Sequence, residues 1–300
     1  MLRRNLCAAG IFLTMFGNSD AQLYQNPSDL WYNICKADIL TGVSILLFAI
    51  DVGNTNISMG LFIKDELVSD WRLATDNNRT SDETGLLILQ FFSFAGVEKE
   101  TVDDVIISSV VPPVMHSLTL AIRKYIGLEP IMVNSKTKTG LSILYENPNE
   151  VGADRIANAV AGFYLYGGPL IIVDFGTATT FCAITQKGEY LGGIICAGIK
   201  VSMDALFVKA AKLPRIDIVK PKNIIGRNTV ESMQSGAVYG FSGQADYIIG
   251  KMKQELGKDT KVIATGGFAR LIAGEVKGIE QINNRLTLLG LKIIYDKRKG

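Results

Sequence analysis

Two short segments place an aspartate, a glycine and hydroxyl or amide side chains directly after an apolar run. Asp51-Val52-Gly53-Asn54-Thr55 follows Ile45–Ile50, and Asp174-Phe175-Gly176-Thr177-Ala178-Thr179 follows Leu170–Val173. Such a turn suits phosphate chemistry. Glycine lets backbone N–H groups approach closely, threonine hydroxyls donate to phosphate oxygens, and the aspartate can hold a cation. A single Asp-x-Gly after a strand is ordinarily a hairpin turn. Two copies, each opening one half of the chain, suggest a duplicated domain closing on a nucleotide from both sides.

Other chemistries lack their residues. The chain has a single histidine, His116, which removes His-rich metal sites and weakens any Ser-His or Cys-His nucleophile. His116 follows Val111-Pro112-Pro113 at a helix start, where a structural role is expected. None of the four cysteines (Cys7, Cys35, Cys182, Cys196) forms a CxxC pair; Cys182 and Cys196 read as small core residues of a reducing compartment. The GxSxG, GxxxxGK[ST] and strand-linked GxGxxG motifs are missing. The net charge of +2 is spread over interspersed acids and bases, with no basic stripe, so no nucleic-acid partner is expected. The run Asp296-Lys297-Arg298-Lys299 reads as a solvated tail.

The elements that must position these turns follow from periodicity and punctuation. Apolar alternation predicts strands over Ile45–Ile50, Gly60–Ile63, Leu67–Leu73, Asp104–Val110 and Ile131–Val133. Thr80-x-x-Glu83 has capping-box spacing and should open a helix through Leu86, Leu89 and Phe92. Further helices are predicted over Val114–Tyr125 and Gly152–Tyr166, the latter with Ile156, Val160 and Phe163 on one face. The second half repeats the opening: strands Leu170–Val173, Thr180–Thr185 and Tyr190–Cys196, helices near Val201–Ala211 and Val230–Leu256, and strand Lys261–Ala264. Thr265-Gly266-Gly267, a short helix from Phe268 and a closing helix over Leu286–Tyr295 complete it. Strand-rich openings followed by helices, twice over, indicate two α/β lobes with a cleft between them.

The segment before the first strand stands apart. Arg3-Arg4, an apolar stretch from Leu6 to Phe16 and polar residues through Ala21 have the outline of an export signal, too short to span a membrane. A translation start near Val43 is the preferred reading, because the nucleotide chemistry suggested by the paired turns belongs in the cytoplasm. Residues 1–44 are accordingly expected to lie outside the fold. Residues 45–167 should form the N-terminal lobe and 168–300 the C-terminal lobe, with the last helix packing back on the first.

Five segments, in order and spacing, resemble the type III pantothenate kinases: Asp51-Val52-Gly53-Asn54-Thr55-Asn56, Ser109-Val110-Val111-Pro112, Gly152-Ala153-Asp154-Arg155, Asp174-Phe175-Gly176-Thr177-Ala178-Thr179 and Thr265-Gly266-Gly267. The resemblance runs from about Ile45 to Tyr295. It implies the actin, Hsp70 and sugar-kinase fold, two ribonuclease-H-like lobes enclosing ATP, and phosphorylation of pantothenate to 4'-phosphopantothenate by a homodimer without a membrane partner. The ATP segment maps onto Asp51, Val52, Gly53, Asn54, Thr55, Asn56, Ile57 and Ser58, with Thr177, Gly266 and Gly267 completing it. Asp51 reads as a Mg²⁺ partner through water, since Mg²⁺ dehydrates reluctantly. Asp174 corresponds to the ligand of a monovalent cation, K⁺ or NH₄⁺.

Asp154 corresponds to the general base, although an aspartate in a first helical turn is favoured by the macrodipole in any case. Tyr145, Gly152, Ala153, Arg155 and Thr229 fall where the family contacts pantothenate. Arg155 could steady its carboxylate or pair with a neighbouring acid, Tyr145 could pack, and Thr229 could be an N-cap. Ala197 departs from a proline common in the family, and Ile282-Asn283-Asn284-Arg285 from an acidic-proline segment. The alternatives are a kinase or phosphatase of the same fold with another small substrate, and a nucleotide-binding regulatory protein.

Overall fold

The computed structural model describes residues 45–299. The expectations for residues 1–44, with Cys7, Cys35 and the start near Val43, fall outside the described residues. The first sheet is built from β1 (Leu46–Val52), β2 (Asn56–Ile63), β3 (Glu66–Ala74), β4 (Asp104–Ser109) and β5 (Ile131–Met132), in the order β3-β2-β1-β4-β5. Strands β1, β2 and β3 pair antiparallel, while β4 and β5 join in parallel. Helices α1 (Ser81–Phe94) and α2 (Pro112–Ala121) link β3 to β4 and β4 to β5.

The second sheet repeats this plan. A short strand β6 (Ser142–Ile143) and helix α3 (Ala153–Tyr166) precede β7 (Leu170–Phe175), β8 (Ala178–Ile184) and β9 (Glu189–Ala197). Helices α4 (Ile199–Lys209), α5 (Thr229–Ser235) and α6 (Phe241–Leu256) lead to β10 (Lys261–Thr265). Then come α7 (Ala269–Ile272), β11 (Gln281–Ile282) and α8 (Leu286–Lys299). The order β11-β10-β7-β8-β9-β6 is the first sheet's order with one strand added, and the antiparallel and parallel pairings recur at equivalent places. The fold is thus α/β, with two duplicated ribonuclease-H-like lobes. Strand β6, earlier in the chain than α3, hydrogen-bonds to β9 of the second sheet.

Packing explains why β1 and β7 are apolar nearly throughout. Leu47 and Ala49 face one side, where they meet Ile156, Ala157 and Val160 of α3 and Leu288, Leu291 and Ile294 of α8. Leu46, Phe48 and Ile50 face the other, against Ile88 and Phe92 of α1 and Leu118 of α2. Leu170 and Ile172 of β7 reach the same α3–α8 layer from the opposite lobe, while Ile171 and Val173 pack on α6 and α7. A strand buried on both faces needs no alternation of polar residues. Helices α3 and α8 are therefore the filling between the two sheets. They approach so closely that a Cβ at Gly290 would lie 2.0 Å from the Ala157 carbonyl oxygen.

Several expected details shift. The Thr80–Glu83 capping box forms as read, but α1 buries Thr84, Gly85, Ile88 and Phe92 and leaves Leu86 exposed. Pro112 and Pro113 open α2 rather than only ending β4, because a missing N–H costs nothing in the first turn. Asn56, Ile57 and Ser58 belong to β2 rather than to the turn. The Asp296–Lys299 run is the last turn of α8: Lys299 Nζ lies 2.9 Å from Asp104 Oδ2, and the Tyr295 hydroxyl donates to the same oxygen. Tethering to the start of β4 makes this end structural rather than a free tail.

Candidate active site

The cleft between the lobes has a volume of about 370 Å³. Its walls come from equivalent rows across the two sheets. In the first, Asp51 of β1 stands opposite Ser58 of β2 and Ser108 of β4. In the second, Asp174 of β7 stands opposite Thr180 of β8 and Thr265 of β10. Partners across a ladder share a face, so each lobe presents one aspartate flanked by two hydroxyls. The turns after β1 and β7 meet at their tips, with the Thr55 and Thr177 hydroxyls 2.8 Å apart. Each turn is closed by its glycine, Gly53 N–H donating to Asn56 O at 3.0 Å and Gly176 N–H to Ala178 O at 3.1 Å.

Asp154 enters this space from a third direction, the first turn of α3. Gly152 is the N-cap, and the Asp154 carboxylate accepts from the Arg155 backbone N–H at 2.8 Å. Asp51, Asp154 and Asp174 all line the cleft, and each is only partly exposed. Burial first, and then the Asp154 charge, pushes Asp51 up to about 7 against the lowering effect of the Ser108 hydroxyl. Burial followed by the Asp154 charge also pushes Asp174 up to about 7, opposed by the Asn158 amide. Burial raises Asp154 too, with the Arg155 backbone N–H opposing it.

The ion pairs among the described residues leave all three carboxylates out. Buried carboxylates without a cationic side chain are suited to a bound cation. No group of three or more His, Cys, Asp or Glu side chains among the described residues could cage a metal by itself.

Gly53, Asn54, Thr55, Asn56, Ser58, Thr177, Gly266 and Gly267 also line the cleft. Val52 and Ile57 do not. Their side chains are buried in the first lobe's core, 0% and 2% exposed, so of the expected ATP segment these two can offer only backbone groups. Gly266 has φ +96° and no room for a Cβ, which would sit 2.4 Å from Asp174 Oδ1. Ala153 is buried beneath the helix start.

Among the described residues the Arg155 side chain forms no ion pair with the acids and packs against Cys182 and Tyr190 instead. Its Nε donates to Cys182 Sγ at 3.5 Å, its guanidinium lies over the Tyr190 ring, and Nη2 is buried without a partner. Tyr145 packs beside that cluster, its ring centre 6.4 Å from that of Tyr190. Thr229 is not brought to the cleft. It is the first residue of α5 and lines a separate hollow with Met203, Leu206 and Met233. The N-cap there is Asn228, not Thr229. Ala197 ends β9, and Asn283 and Arg285 hold the entry to α8, through Tyr166 and Asp70 respectively.

Two residues that sequence reasoning missed hold the acids. Ser108 Oγ donates to Asp51 Oδ1 at 2.7 Å. Asn158, 2% exposed, donates to Asp174 Oδ2 at 3.3 Å and accepts from Thr287 Oγ1 at 2.8 Å. One amide thereby ties α3, β7 and α8 together. The available signal was a polar residue in the otherwise apolar stripe of α3, which must find a hydrogen-bond partner inside.

A five-stranded sheet and its six-stranded counterpart of the same core order, a cleft between them and paired Asp-x-Gly turns define the actin/Hsp70/sugar-kinase fold. The ethanolamine utilization protein EutJ from Carboxydothermus hydrogenoformans shares it, with a TM-score of 0.53 at 13% identity over 90% of this chain and 100% of that one. The chain belongs to the type III pantothenate kinase family, whose sequence profile matches residues 47–251. Two weaker structural similarities carry no weight for function. A protein described as a Baf family transcriptional activator from Campylobacter jejuni is 19% identical, covering 84% of this chain and 98% of its own, with a TM-score of 0.49. A ROK family glucokinase from Streptomyces griseus, solved with glucose and AMPPNP, is 14% identical, covering 85% and 100%, with a TM-score of 0.43.

Proposed function

We propose that this kinase transfers the γ-phosphoryl group of ATP to the hydroxyl of pantothenate, giving 4'-phosphopantothenate in the first step of coenzyme A synthesis. The observation that carries the reading is the convergence of Asp154 with Asp51 and Asp174 in one interlobe cleft of a chain from this family. Phosphoryl transfer proceeds through a loose transition state, so positioning and charge neutralisation dominate. The Gly53–Asn56 and Gly176–Thr177 turns offer N–H and hydroxyl donors to the phosphates from opposite lobes. Asp154 accepts the proton of the attacking hydroxyl. Burial raises its pKa, in the direction that makes it a stronger base, while the Arg155 N–H holds it oriented. Mg²⁺ partnered by Asp51 through water, and K⁺ or NH₄⁺ at Asp174, would supply the positive charge that the phosphates require.

Arg155, with Nη2 unpaired, is suited to the pantothenate carboxylate, and Tyr145 flanks it. Thr229, which within one chain lines a separate hollow rather than the cleft with Asp154, fits an active homodimer. Exposed apolar side chains beside its hollow, Leu206, Phe207, Ile225 and Val230, support such a contact. Among the described residues no helix is long and apolar enough to cross a membrane. The reading places the enzyme in the cytoplasm, where ATP is available.

The test is an ATP-coupled assay of the full chain with pantothenate and Mg²⁺, run in K⁺ and in Na⁺. Turnover that requires pantothenate and is faster in K⁺ supports the reading. ATP binding without pantothenate turnover in either salt refutes the acceptor.

A further inference from the structure

Arg72 has no role in the mechanism above. It lies on β3 opposite Ser58, which lies opposite Asp51, so the three form one row across the sheet. All three line the cleft. The charge balance there gives the position its meaning. Asp51, Asp154, Asp174 and Asp204 line the cleft, whereas Arg72 and Lys200 are its cationic side chains among the described residues. Lys200 is already engaged by Asp204, 3.2 Å away on the same helix. Arg72 has no carboxylate within ion-pair distance among the described residues.

The second lobe sharpens the contrast. Its equivalent row runs Asp174, Thr180, Ile195, and ends in an aliphatic side chain that is 62% exposed. The duplication therefore keeps the aspartate and the hydroxyl in both rows, but a cation at the edge of only one. Adjacent strands are about 4.8 Å apart, which puts the Arg72 and Asp51 Cα atoms roughly 10 Å apart. A long arginine side chain can reach into that interval, over Ser58.

We infer that Arg72 is a phosphate ligand, whose guanidinium takes oxygens of the bound polyphosphate from the β3 edge of the cleft. Arginine suits the task because it stays charged and presents paired donors that match two phosphate oxygens. The inference rests on the cleft being the nucleotide site, and not on pantothenate being the acceptor. Arg72 forms no bond and moves no proton.

The test is calorimetric binding of inorganic tripolyphosphate with Mg²⁺, and separately of adenosine, to the full chain and its Arg72→Met and Arg72→Lys variants. Loss of a charge-assisted contact predicts roughly 10- to 100-fold weaker tripolyphosphate binding in Arg72→Met. Partial recovery is expected in Arg72→Lys, with adenosine affinity and thermal midpoint unchanged. Equal tripolyphosphate affinity in wild type and Arg72→Met overturns the inference. So does a parallel loss of adenosine affinity, which would mark a general role at the sheet edge, and so does wild-type protein that fails to bind tripolyphosphate. A tripolyphosphate effect at Arg72 in an enzyme that does not turn over pantothenate supports the inference and refutes only the acceptor.

Discussion

The cleft aspartates should destabilise the empty protein, and replacing one should strengthen the fold while ending catalysis. Asp174 stands at about 7 against an unperturbed 3.8, raised first by burial and then by the Asp154 charge. A raised carboxylate keeps its proton in the folded state when the unfolded chain has already lost it. Between about pH 4 and 7 the unfolded state thus binds fewer protons, and unfolding free energy falls as pH rises through that window. Each pH unit corresponds to about 1.4 kcal/mol, so the cost above neutrality approaches 4 kcal/mol as an upper bound. Asp51 acts with the same sign, and both depend partly on Asp154, so their costs do not simply add. Asp174→Asn removes the charge while its amide oxygen can still accept from Asn158. Urea unfolding followed by circular dichroism, in buffer free of Mg²⁺ and K⁺, should show this variant more stable than wild type at pH 8. The gap should lie between about 1 and 4 kcal/mol and close toward pH 4. Potassium should stabilise the wild type and leave the variant unmoved. A variant less stable than wild type at pH 8, or a gap independent of pH, would refute the reasoning.

Asp154→Asn should lower kcat by about 10²- to 10⁴-fold with ATP binding intact, as single-turnover and calorimetric measurements would show; wild-type rates would remove Asp154 as the base. Ser108→Ala removes a hydrogen bond that lowers the Asp51 pKa. The acid limb of the pH–rate profile should therefore move to higher pH, and an unmoved limb would separate Ser108 from Asp51. Gly290→Ala forces a Cβ to 2.0 Å from the Ala157 carbonyl. It should cost about 1–3 kcal/mol or more in chemical denaturation, and a neutral result would show that α8 can slide without consequence.

The strand ends and helix start that present the three aspartates were legible because local sequence dictates them. An apolar run that ends in Asp-x-Gly can only deliver an aspartate to a strand end and a close-approaching backbone to a turn. Its repetition announced two lobes, and the segment Gly152–Arg155 stood out as a helix start. The Thr80–Glu83 capping box also formed as read, since capping is a contact within four residues. Failures began where partners are distant in the chain. Strands β6 and β11, each of two residues, carry no periodicity and exist only because β9 and β10 offer them a free edge. The end of α8 looked like a solvated tail until Asp104, far away in sequence, was placed beside Lys299 and Tyr295.

The same division runs through the site. Sequence alone placed Asp51 and Asp174 at strand ends and Asp154 at a helix start, since strand patterning and helix capping are local properties. It also left Val52 and Ile57 within a phosphate segment although alternation turns both side chains into the core. Only the tertiary structure decided that α3 is sandwiched between the sheets, bringing Asp154 among acids from both lobes, and that Ser108 and Asn158 hold two of them. It alone aligned Arg72 with Asp51 and kept Thr229 out of the cleft. The physical reason is that register across a sheet and the docking of lobes depend on burial summed over the whole core, which no short window of residues contains.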